Sequence, residues 1–160
     1  MPTIDDLLGP PPAEGIDPFQ LWRLGTLTAA MLPELMTVPD PRGPYRGPVL
    51  QFIADWNRSE DRAALIAEAP VYEGDDPVLL PAIAVVVHAL ADRAGVLLPD
   101  WVLQHRAPAD VSLFGWRFDG EYGQLVRRRS PAACVYHRVW FHPRTLDKGT
   151  PELVAALGLR

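Results

Sequence analysis

The chain has 160 residues, 48% of them hydrophobic and 22% charged, with a formal net charge of −5. That length suits one domain able to bury roughly 70% of the surface its unfolded form would expose, so no disulfide or metal is needed to hold a core. A single cysteine, Cys134, excludes an intramolecular disulfide, and no charged-then-apolar leader precedes Asp5 and Asp6; together these lead us to expect a cytoplasmic protein.

Residues 1–16 read as an N-terminal arm or linker, with Thr3 capping a short turn through Leu8 before a glycine- and proline-rich stretch breaks it. Asp17 followed by Pro18 is an N-cap with proline at the first helical position. Phe19, Trp22, Leu27, Ala30 and Met31 then recur at helical spacing, which predicts a helix to about Leu32, extending past Pro33 to Met36. Residues 38–48 hold four prolines and two glycines and must be a loop. Arg42, Tyr45 and Arg46 make it a candidate functional one. From Pro48 to Asn57, Val49, Phe52, Ile53 and Trp56 line one stripe of a helix. Ser59 is placed to cap the next helix, with Glu60 and Asp61 in its first turn, and the segment ends near Ala69.

Asp76 and Pro77 open the most apolar run. Residues 77–91 contain His88 and two prolines and fall short of the roughly 20 residues that cross a bilayer, so the run reads as a central buried helix, capped by Gly95. Pro99, Asp100 and Trp101 start a short helix. Leu113, Phe114, Trp116 and Phe118 are anchors in the irregular stretch 107–120, and Glu121 to Arg129 reads as a basic helix stopped by Ser130 and Pro131. The β-rich composition of residues 134–141 suggests a short extended segment, and Thr150, Pro151 and Glu152 open a final helix. The expected fold is therefore mainly α: a single compact multi-helix domain over residues 17–160 with an irregular, short-stranded C-terminal part.

The chemistry motifs are sparse. The sequence contains no glycine-rich phosphate loop, dinucleotide fingerprint, His-Glu-x-x-His or Cys-x-x-Cys. Cys134, His137 and His142 have metal-ligating side chains, but their spacing fits no standard site and lacks a fourth ligand, so we expect no metal and no cofactor. Cys134 beside His137 resembles a nucleophile and base. Its ordinary role is a small buried hydrophobe, and that of His88 is a hydrogen-bonded core histidine.

Charge is uneven. Residues 1–100 carry six arginines against fifteen carboxylates, a net −9, and residues 101–160 carry nine basic residues against five carboxylates, a net +4. The basic end gathers Arg127, Arg128, Arg129, His137, Arg138, Arg144 and Lys148, with Trp140 among them. Such a cluster can pair with the acidic half of the same chain or meet an anionic partner.

The run 91–101, Ala-Asp-Arg-Ala-Gly-Val-Leu-Leu-Pro-Asp-Trp, is followed by Arg128-Arg129-Ser130-Pro131 and then Arg138-Val139-Trp140-Phe141 with Leu146. This arrangement resembles a small helical domain of actinobacterial proteins associated with toxin–antitoxin operons. The resemblance covers about the last 70 residues, at helix-cap and core positions, and implies an antitoxin-like or regulatory binding protein.

These readings lead us to expect a protein-binding module, without catalytic residues of its own, acting through an aromatic- and arginine-rich surface. Its candidate partner-binding residues are Arg127, Arg128, Arg129, His137, Arg138, Trp140, Arg144, Arg42, Tyr45 and Arg46. Two alternatives stand beside it: a small enzyme with a His/Arg-lined pocket for a phosphorylated substrate, and a nucleic-acid binder using the basic cluster. The enzyme requires convergent titratable groups in a pocket, whereas the module requires apolar surface rimmed by arginine.

Overall fold

The computed structural model describes residues 25–117 and 120–148. The expected N-terminal arm, the start of the helix opened by Asp17, Phe118 and the final helix from Thr150 lie outside the described residues. Within them the chain forms α1 (Leu32–Met36), α2 (Arg46–Arg58), α3 (Arg62–Ile66), α4 (Leu79–Ala94), α5 (Glu121–Arg129) and α6 (Ala132–His137). Two short strands, β1 (Val111–Ser112) and β2 (Val139–Trp140), pair in parallel, Val111 opposite Val139 and Ser112 opposite Trp140. The fold is mainly α, as the periodicity predicts.

Eleven of the sixteen residues of α4 are buried, so this helix has no broad solvent-facing stripe and must be covered by its neighbours. α1, α2, α6, β2 and the 3₁₀ turns Asp100–Gln104 and Pro143–Asp147 do so. Its ends follow local chemistry. Asp76 accepts the Val78 N–H at 2.9 Å ahead of the first turn. Gly95 closes the last turn at φ +70°, and the Val96 N–H returns to Ala91 O at 2.9 Å. No helix among the described residues is long and apolar enough to cross a membrane.

Three expectations are corrected. The helix predicted through Leu32 is broken before it: Gly25 has φ +74° and Thr28 is extended, and only then do the 3₁₀ turn Ala29–Met31 and α1 begin. Pro33 sits in the first turn of α1, where its missing N–H costs nothing, so it helps start a helix there. The cap of α3 is Asp61, whose carboxylate accepts the Ala64 N–H at 3.3 Å. Ser59 instead accepts the Asp61 N–H, which places the start at Arg62 and the end at Ile66, short of Ala69.

The third correction concerns residues 134–141. Residues 134–137 belong to α6, and only Val139–Trp140 is extended. The β-propensity of Val135 and Tyr136 loses to packing: Ala133, Cys134 and His137 share the buried face that lies on α4. Arg138 then turns the chain at φ +63° into β2. Backbone bonds from Ala107 to His137, Val111 to Arg138 and Leu113 to Trp140, each 2.8 to 3.0 Å, lace the preceding segment alongside.

Candidate functional site

An open groove of about 640 Å³ runs between the loop before α2, the segment that leads into α5, and the Pro143–Asp147 turn. The loop and the first turns of α2 contribute Arg42, Arg46 and Leu50. The middle segment contributes Phe114, Trp116 and Tyr122, and the C-terminal wall carries His142, Arg144, Thr145 and Lys148.

Two glycines allow these walls to meet. Gly43, at φ +138°, would place a Cβ 2.7 Å from the Phe114 carbonyl oxygen. Gly115, at φ +77°, would place one 2.9 Å from the Pro44 ring. Asp40 shapes the loop itself. Its carboxylate takes the Arg42 guanidinium at 2.8 Å and the Arg42 N–H at 3.0 Å. The Arg42 guanidinium, helped by the Arg42 and Gly47 amides, holds the Asp40 carboxyl down at about 2. The third wall is tied to α2 by Asn57, whose side-chain amide donates to Leu146 O and Lys148 O, both at 2.8 Å.

Inside the groove, Arg46 lies over the Phe114 ring at 5.5 Å, and Trp116 and Tyr122 meet edge to face at 5.9 Å. His142 Nδ1 accepts the Arg144 N–H at 3.1 Å. Arg42 is neutralised by Asp40. Among the described residues no carboxylate lies within ion-pairing distance of Arg46, Arg144 or Lys148.

The basic cluster of the sequence divides. Arg144 and Lys148 join Arg42 and Arg46 in the groove. Arg127 and Arg138 instead converge on Asp110 at 3.3 and 3.6 Å. Trp140 is buried, donates to the same carboxylate at 3.2 Å, and carries the Arg127 guanidinium 5.0 Å above its ring. Arg138 also donates to Pro108 O at 3.0 Å. Arg128 and Arg129 are exposed. Tyr45 is a core tether whose hydroxyl donates to Asp76, and burial with that bond pushes its phenol upward.

His137 is fully buried and faces no solvent. Its Nδ1 lies 2.6 Å from His105 O, and a carbonyl only accepts, so Nδ1 carries the proton. Its bare Nε2 then accepts from His88 Nδ1 at 2.9 Å. Burial brings the His137 imidazole down to about 4. His88 Nε2 faces Asp92 at 3.5 Å, which completes a chain from α4 through α6 to residue 105. Cys134 is also fully buried, and burial pushes its thiol up to about 12, far from a thiolate at neutral pH. Among the described residues no three His, Cys, Asp or Glu side chains gather closely enough to hold a metal.

Trp116, Tyr122, His142 and the organising Asp40 were absent from the sequence-derived site. The Pro39-Asp40-Pro41-Arg42-Gly43 run carries a turn signature that points to Asp40. The other three are isolated residues with no local signal, joined only by tertiary structure. No family model, curated protein or solved structure matches the chain.

Proposed function

We propose that the protein is a binding module that holds an anionic partner in the groove. The observation that carries this reading is the convergence of Arg46, Arg144 and Lys148 on one concavity with no carboxylate answering them among the described residues. Like charges brought together repel, and a bound anion relieves that repulsion. Arginine beside aromatic rings is also the usual anchor chemistry of a recognition surface. The resemblance to toxin–antitoxin-associated proteins supports a regulatory binding role. Catalysis through Cys134 has little to work with, because that thiol is buried and held protonated.

Calorimetric titration of the full chain with inorganic pyrophosphate, in low and moderate salt, tests this. Binding should weaken as salt rises and fall at least about tenfold when Arg144 and Lys148 are both replaced by alanine. Failure of the wild-type chain to bind at low salt overturns the reading.

A further inference from the structure

We infer that the groove is built for a nucleoside diphosphate, phosphates against Arg46, Arg144 and Lys148 and base against Trp116 and Tyr122. This rests on the anion-binding reading of the same groove. Three features narrow the ligand. Arg46, Arg144 and Lys148, with no carboxylate at ion-pairing distance among the described residues, match the roughly three negative charges of a diphosphate, whereas one carboxylate leaves two of them unanswered. Two of the three are guanidinium forks, which suit the oxygens of a phosphate, and the third is a lysine point charge.

The other lining is aromatic. Tyr122 is 57% exposed and meets Trp116 edge to face with the rings at 83°, and such exposed aromatic surface suits the stacking of a planar group. A purely inorganic anion leaves this half of the groove in water. The groove volume of about 640 Å³ lies within the range of small-ligand pockets and accommodates a base, a ribose and two phosphates together. His142 also lines the groove, its Nδ1 held by the Arg144 amide.

Calorimetry on the full chain with ADP, pyrophosphate, adenosine and a single-stranded oligothymidylate separates the possibilities. ADP should bind about tenfold or more tightly than pyrophosphate, and adenosine more weakly than either. Tyr122→Ala should bring the ADP-to-pyrophosphate ratio toward one, with an unchanged melting temperature to show that the fold is intact. Equal binding of ADP and pyrophosphate by the wild type overturns the nucleotide assignment and leaves the anion-binding reading standing. Absence of binding by both overturns the two together. Oligothymidylate binding more tightly than ADP overturns the free-nucleotide assignment in favour of a single strand.

Discussion

Around Asp110, two arginines and an indole N–H share one carboxylate. In the groove, Arg46, Arg144 and Lys148 share a concavity with no carboxylate opposite them among the described residues. Both regions draw on the basic C-terminal part of the chain and follow one another along it: Arg127 and Arg138 in one, Arg144 and Lys148 in the other. Density of arginine in the sequence thus says little about its role. The nearest carboxylate decides whether a guanidinium is paired within the fold.

The largest expected effect tests how firmly the paired region is anchored. Its inner boundary is His137, whose backbone carbonyl accepts from Ala107 and whose ring bridges His88 and His105. The imidazole is lowered from its ordinary 6.5 to about 4, so the unfolded chain binds more protons than the folded one between those values. The stability from neutral His137 is present above pH 6.5 and is lost as pH falls toward 4, by about 3 kcal/mol at most. His105, also lowered by burial, adds in the same direction. Asp40 acts at lower pH, between its ordinary 3.8 and about 2. Urea unfolding across pH 4 to 7 should therefore show a steep loss that is much reduced in His137→Gln. An equal slope in that variant shows that the anchor lies elsewhere.

A smaller effect probes the carboxylate itself. Asp110→Ala removes the acceptor of the Trp140 N–H and two ion pairs whose side chains are about a third to a half exposed. The hydrogen bond is worth about 1 kcal/mol and the solvent-screened pairs add little, so the loss should be about 1 to 2 kcal/mol. Pyrophosphate binding in the groove should not change. Thermal unfolding and calorimetry on one preparation check both. A variant of unchanged stability means that Asp110 only decorates the surface, and weakened anion binding joins the two regions into one site.

Elements with their own periodicity or caps were readable in advance: α2, α4 with Gly95, α5, and the stop at Ser130 and Pro131. Tertiary contacts decided the rest. Val135 and Tyr136 have strand propensity, yet α6 forms because Ala133, Cys134 and His137 need one buried face against α4. Arg42 in the loop, Arg46 at the start of α2 and the C-terminal Arg144 were identifiable as candidates from charge. Their meeting with Trp116 and Tyr122 was not, because it depends on Gly43 and Gly115 permitting two loops to touch. Likewise, nothing local separates Arg138, which pairs with Asp110, from Arg144, which does not.

The smallest expected effect sharpens the comparison most. Removing a cation that completes a fold costs stability, whereas removing one that waits for a ligand relieves repulsion. Arg144 and Lys148 are exposed, and among the described residues the side chain of neither bonds to a neighbouring element, so Arg144→Ala with Lys148→Ala should shift unfolding by no more than about 0.5 kcal/mol and in the stabilising direction. Adding pyrophosphate should then reverse the ranking: the wild type gains stability through ligand linkage, about 2.7 kcal/mol at a hundredfold excess over its Kd, and the double variant gains much less. Paired melting curves with and without pyrophosphate read out that crossover. A double variant already destabilised without ligand places these residues with Arg127 and Arg138, as cations that complete the fold.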